Sequence, residues 1–146
     1  MARIKLEMPA HYFTVQKVRV RITDINYGNH VGNDAFVGIL HDARMQWLST
    51  HDFTELDVQG TGLIMGDLAV EFKNESFYGD EVEVAIGVDN IGRVNFDLYY
   101  RLTTSRNGEV ILLANAKTGM ICYDYKQKKI APVPEALSSL LKITND

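Results

Sequence analysis

Two hydrophobic periods divide the chain. In "VQKVRVRIT", residues 15–23, Val15, Val18, Val20 and Ile22 are read as one face and Lys17, Arg19 and Arg21 as the other, the strict alternation of a half-exposed strand. The period then lengthens. Phe36, Leu40, Ala43 and Trp47 are separated by four, three and four residues, which places them on one helical stripe. Val37 and Leu48 widen that stripe, and Arg44 is expected to reach toward the helix edge. Asn33 or Asp34 supplies a cap for the start, and the helix should run to about Leu48. "STHDFTELDVQGTG" reads as a loop with a short helical turn. Four strand candidates follow: "LIMGDLAVEFK", "DEVEVAIGVDNI", "RVNFDLYYRLTT" and "EVILLANAKTGMICYDY". "YGD" at Tyr78–Asp80 and "RNGE" at Arg106–Glu109 are the turns expected between them. "PEALSSLLK" closes the chain as a short helix, with Pro134 near its first turn.

Strand, long helix, then four long strands joined by tight turns is an α+β plan, an antiparallel sheet with one helix on a single face. The helix carries apolar residues on more than one side, so the sheet is expected to curl around it. The 146 residues suit one domain, 1–146, with no visible repeat or linker.

Composition narrows the function classes. A net charge of -4 argues against a nucleic-acid partner, though local lysines and arginines could still hold an anionic small molecule. No apolar run approaches the ~20 residues of a membrane span, and "MARIKLEMPAHYF" lacks the pattern of a signal peptide. Cys122 is the only cysteine; within "MICYDY" it reads as a buried structural thiol. A cytoplasmic, soluble protein is expected. No His/Cys cluster has metal-ligand spacing, so neither a metal nor another cofactor is expected.

The stretch "RITDINYGNHVGNDAFVGILHDARMQWL", residues 21–48, crowds Asn, Asp, Gly and His at the start of an apolar helix. Together with "ARMQWL", "AVEFKNESFYGDEVEV" and "ANAKTGMICYDYKQKKIAPVP", in that order, it makes nearly the whole chain resemble the hot-dog-fold acyl-CoA thioesterases of the 4-hydroxybenzoyl-CoA type. The resemblance implies a five-stranded antiparallel sheet wrapped around one long helix. It also implies a homodimer, or a homotetramer built from two, whose sheets join and whose active sites lie between subunits. The implied substrate is an acyl thioester of coenzyme A or acyl carrier protein.

The family's loop carries Asp-x-Asp with the second Asp catalytic. In gapless register the first falls on Asp24 and the catalytic position on Asn26. Asn has no titratable group and cannot serve as general base or carboxylate nucleophile. A related branch of the fold uses Asn at a similar place, where it would hold the water or the carbonyl while another group takes the proton. Asp34, Asp24 and His30 are the candidates for that group, imidazole being the side chain suited to proton transfer near neutrality.

The chemistry of the helix start is independent of the resemblance. The first N–H groups of a helix are unpaired and lie at its positive end, where a thioester carbonyl would be polarised. Asn33 and Asp34 carry those groups, Gly28 and Gly32 allow close approach, and Tyr27 could stack on a ligand. Each also has a plain structural reading: turn glycines, an Asn turn at 26, a helix-start acid at 34, a surface tyrosine at 27. His41 and Asp42 lie about two turns into the helix and could be presented to another subunit's site. Lys73, Arg101, Arg106, Lys117, Lys126, Lys128 and Lys129 are available for the coenzyme A phosphates. Fold alone does not fix function. A non-catalytic acyl-CoA-binding module accounts for Asn26. A hydratase-like enzyme is the third alternative, since "DINYGNH" is similar to the Asp-x-Asn-Pro-x-His of hot-dog hydratases but lacks the Pro and sets the His one residue further.

Overall fold

The computed structural model describes residues 2–142. The elements are β1 (Thr14–Arg19), α1 (Asn33–Ser49), β2 (Gly62–Phe72), β3 (Glu81–Asp89), β4 (Asn95–Arg106), β5 (Glu109–Asp124), β6 (Lys129–Ile130) and α2 (Glu135–Lys142). The long strands form an antiparallel sheet in the order β1-β3-β4-β5-β2. A sixth strand, the two-residue β6, pairs with the end of β5 through Tyr123↔Ile130. The sheet is therefore six-stranded, one more than the five expected, because the "KQKK" turn folds the chain back briefly before Pro132 ends the pairing.

Register follows from alternation. Val82, Val84, Ile86 and Val88 of β3, Phe96, Leu98, Tyr100 and Leu102 of β4, and Ala114, Ala116, Met120 and Cys122 of β5 are buried on one face. The β4–β5 hairpin turns on Asn107 (φ 52°) and Gly108 (φ 80°), the two left-handed residues that a tight hairpin with right-handed strand twist requires.

α1 lies on that apolar face. Phe36, Leu40, Ala43 and Trp47 are buried as the period predicted, joined by Ile39 and Leu48. Truncating one such leucine to alanine typically costs about 2–5 kcal/mol, so this stripe fixes the helix on the sheet. Four local expectations are corrected. Gly32, not Asn33 or Asp34, is the N-cap, and both of those residues lie inside the first turn. Arg44 does not reach the edge; it is buried at 5% exposure. Val15 and Ile22 are exposed, since Val15 falls in odd parity with Lys17, and Ile22 lies beyond β1 in a 3-10 turn. The 50–61 loop contains two small bridges, Thr54↔Asp57 and Val58↔Thr61, rather than a helical turn.

The residues before β1 cross part of the outer face of the sheet, where Glu83 and Arg101 stay exposed. Pro9, His11 and Tyr12 lie over Gly87 of β3. The Leu6 amide donates to Glu71 of β2 at 2.6 Å, on the far side of β4 and β5. β2 itself is a free edge. It presents Met65, Leu68 and Phe72 partly exposed and is bulged between Met65 and Asp67.

Candidate active site

The loop between β1 and α1 is held at both ends by backbone bonds. An Ile25↔Val31 bridge closes it. The Gly32 amide donates to the Asp24 carbonyl at 3.1 Å, and the Val31 amide donates to the Ser76 carbonyl at 2.8 Å. Ser76 is in turn tied to Asp80 through its hydroxyl at 2.9 Å, so the 74–80 turn buttresses the loop.

Within this frame the Asn26 side-chain oxygen accepts the Gly28 amide at 2.9 Å, an Asn turn. This commits its acceptor and leaves the amide NH2 as its free functionality, on the side of Gly32. A Cβ on Gly32 would lie 2.7 Å from Asp34 Oδ1 and 3.6 Å from Asn26 Cβ, so the Asp34 carboxylate would have to shift to make room for any other residue. His30 approaches the same loop from the other side. A Cβ on Gly28 would lie 3.1 Å from its Nε2 and 3.2 Å from Asn26 Oδ1. His30 Nδ1 is 3.1 Å from the Val31 carbonyl, which fixes the proton on that nitrogen.

The structure thus brings Asn26, Gly32, Asp34 and His30 around one short stretch. Asp24 and Tyr27 stand apart. The Asp24 carboxylate accepts the Arg21 amide at 2.8 Å, and the Tyr27 side chain projects fully into solvent. No side chain caps α1. The first backbone bond of the helix runs from the Phe36 amide to Gly32. The amides of Asn33, Asp34 and Ala35 are therefore the unpaired donors of the first turn, at the positive end of the helix.

A cavity of about 200 Å³ is lined by His30, Asn33, Phe36, Phe72 and Lys73, so of the three amide-bearing residues it is Asn33 that borders it. Phe36 and Phe72 meet edge-on, with centroids 5.3 Å apart, and form its apolar wall. Lys73 is the candidate cation at its mouth, pairing with Glu71 at 3.2 Å. Arg106 and Lys117 are engaged elsewhere, Arg106 with Asp80 and Lys117 with Asp67 and Asp97.

A second polar group lies further along α1, and its key member had no signal in the sequence. Arg44 Nε donates to Glu55 at 2.9 Å, and Nη1 donates to the Tyr100 hydroxyl at 3.2 Å. Tyr100 is itself 2.6 Å from the Thr118 hydroxyl. Burial pushes the Tyr100 phenol up, so it stays a neutral hydroxyl beside the guanidinium. His41 Nε2 lies 3.3 Å from the same Glu55 oxygen. Asp42 turns the other way and accepts from Gln46, which also bonds the Lys17 carbonyl of β1. Glu55 sits in an irregular loop, where neither periodicity nor a motif marks it.

A sheet curled around one long helix, with a polar loop at the helix start, defines a hot-dog-fold protein. Residues 20–141 match the Thioesterase-like superfamily, and the chain belongs to that family. The 1,4-dihydroxy-2-naphthoyl-CoA hydrolase of Synechococcus elongatus is 30% identical over 77 residues, 53% of this chain and 54% of that protein. The chain therefore spans about half the length of the curated relatives it matches. Among solved structures, a 1,4-dihydroxy-2-naphthoyl-CoA thioesterase from Synechocystis superposes with a TM-score of 0.76 at 20% identity, covering 90% of this chain and 96% of that one. The DHNA-CoA thioesterase of Staphylococcus aureus gives 0.71 at 21% identity, over 82% and 79%. At these identities the structures share the fold.

Proposed function

We propose that this protein hydrolyses an acyl-CoA thioester to a carboxylic acid and coenzyme A. The observation that carries this reading is the uncapped start of α1, with three free amides and with Asn26, Asp34 and His30 gathered beside it, opening on a cavity walled by Phe36 and Phe72. A thioester carbonyl at that point gains preorganised donors as its oxygen becomes negative; one such donor is worth ~10²–10³ in rate in other enzymes. The Asn26 amide orients the carbonyl or the attacking water, and Asp34, His30 or Asp24 is the candidate to take the proton. Lys73, on the wall of the cavity, is the cation proposed to meet a phosphate of the carrier, whether that carrier is coenzyme A or acyl carrier protein. The named activities of the relatives make a hydroxylated aromatic acyl group the first to try.

The free β2 edge supports a homodimer through β2–β2 pairing, since an uncovered, partly apolar edge is otherwise a liability. Two such dimers could form a tetramer. The single, buried cysteine fits a reducing, cytoplasmic setting. A second reading, a non-catalytic acyl-CoA-binding module, is favoured by the Asn26 oxygen being spent on Gly28. Thiol release from acetyl-, hexanoyl-, decanoyl-, benzoyl- and dihydroxynaphthoyl-CoA separates the two. Turnover of any of them is expected for an esterase. Saturable binding with no release assigns the binding module, and water addition to crotonyl-CoA without release assigns a hydratase.

A further inference from the structure

A larger cavity, of about 810 Å³, lies between residues 2–6 and the outer face of the sheet, against residues 70–73 and Asn115 of β5. Sites that enclose a whole small ligand fall in the range of about 300–1,000 Å³. Phe72 and Lys73 line both this cavity and the one at the helix start, so the two adjoin at the end of β2. Arg3, Lys5 and Lys73 bring three positive charges to its wall, and Glu71 brings the one carboxylate. Glu71 is already committed: it accepts the Leu6 amide at 2.6 Å and pairs with Lys73 at 3.2 Å. Arg3 and Lys5 form no salt bridge among the described residues. The cavity is therefore cationic.

Its floor carries an unusual group. Ala114 and Ala116 are buried against the core, so Asn115 between them points to the opposite face. Its register partners are Glu71 of β2 and the exposed Arg101 of β4. The Asn115 side-chain oxygen is buried, yet it accepts no hydrogen bond among the described residues. Buried polar atoms without a partner are rare and costly, and a ligand N–H at this point would relieve the cost. A ligand suited to the cavity thus brings negative charge for the cations and an N–H for Asn115. A free phosphate or a fatty acid meets only the first requirement. A phosphorylated adenosine meets both, since Asn is the side chain that pairs with the adenine edge, accepting from N6 and donating to N7.

We infer that this cavity takes the adenosine 3′,5′-bisphosphate end of coenzyme A, with Asn115 on the adenine, Arg3 and Lys5 on the 3′-phosphate and Lys73 on the pyrophosphate. The inference rests on the thioesterase reading above and chooses between its two carriers. Acyl carrier protein presents a phosphopantetheine without a nucleoside and has nothing to place on Asn115. The pantetheine arm runs past Phe72 and Lys73, from the nucleotide outside the sheet to the thioester at the helix start. Residues 2–6 precede the 20–141 stretch that matches the family, so Arg3 and Lys5 are supplied by a lead-in segment outside it.

Titration calorimetry of the full chain with adenosine 3′,5′-bisphosphate tests the site by itself, because that probe has neither pantetheine nor thioester. One saturable site per chain is expected. Guanosine 3′,5′-bisphosphate shows Asn115 two acceptors where adenine shows a donor and an acceptor, and should bind roughly tenfold more weakly. Arg3→Ala/Lys5→Ala should weaken the adenosine probe about tenfold or more. Asn115→Leu should weaken it by a similar factor and yet melt no lower than wild type, because it deletes an unpaired buried oxygen. Should that variant not fold, the preference of the wild type for adenosine over guanosine reads the same contact. In the kinetic arm, with the acyl-CoA of the panel turned over fastest, Arg3→Ala/Lys5→Ala should raise KM about tenfold at unchanged kcat. Hydrolysis of the matching acyl-pantetheine, which has no nucleotide, should be the same in variant and wild type. No saturation by the adenosine probe up to about 5 mM overturns the proposal. So does equal affinity for the two nucleotides, or an equal loss with acyl-pantetheine. Wild-type protein that binds the adenosine probe but releases no thiol from any of the five acyl-CoAs supports the nucleotide site and overturns the thioesterase reading.

Discussion

At the scale of the residue, Asn26 is the most informative position. Its side chain is already engaged as an acceptor, so its remaining contribution is as a donor toward the helix start. Asn26→Ala should reduce kcat by roughly 10²-fold while leaving the melting temperature nearly unchanged, as steady-state thiol release and calorimetry would register. Asn26→Asp should retain substantial turnover, because a carboxylate keeps the bond to the Gly28 amide and adds a base. Cys122 makes the opposite point, that a reactive group type can be inert by placement. It is fully buried on the core face of β5, and burial pushes its thiol up to about 11. A colorimetric thiol reagent at pH 8 should not modify it in native protein and should titrate one thiol per chain in guanidinium.

Among the elements, the β2–β3 turn shows how charge anchors the scaffold around the site. Burial alone would raise the Asp80 carboxyl, but bonds from the Arg106 guanidinium, the Phe77 amide and the Ser76 hydroxyl outweigh it and hold the group below its ordinary value. A carboxylate depressed in this way stabilises the fold above its unfolded-chain pKa of about 3.9, and that stability is lost as pH falls through the folded value. Asp80→Asn should cost about 2 kcal/mol at pH 7, a fall of roughly 4–8 °C in Tm. The gap from wild type should close as the scan is repeated below about pH 4.

The elements also mark what a sequence discloses. α1 ends within a residue of its expected limit, and the four later strands lie within two residues of theirs, because stripe and alternation record burial directly. Arg44 was misplaced because a charged residue beside an apolar stripe looks like a helix edge. Its burial depends on Glu55 and Tyr100, which are 11 and 56 residues away in the chain. The helix-start group was legible because its members are neighbours in sequence. The His41–Glu55–Arg44 group was not, because it is assembled by the return of a loop onto the helix.

For the whole molecule, the open flank is the β2 edge. Light scattering at micromolar concentration should report a dimer or a multiple of it. Leu68→Arg, on the partly exposed flank of β2, should shift the protein toward monomer and reduce thiol release in parallel, as the proposed sites between subunits require.

The residues that run over Gly87 to Glu71 bear on how such dimers can stack. Part of the back of the sheet is crossed by the chain's own residues, so a neighbour arriving there meets that segment as well as β-surface. Gly87→Ala tests how firmly it is fastened, because the new methyl would sit 2.6 Å from the His11 carbonyl oxygen and 2.9 Å from the Pro9 ring. Hydrogen exchange at the Leu6 amide, bonded to Glu71 in the intact protein, should quicken, while subunit number and turnover remain those of the wild type.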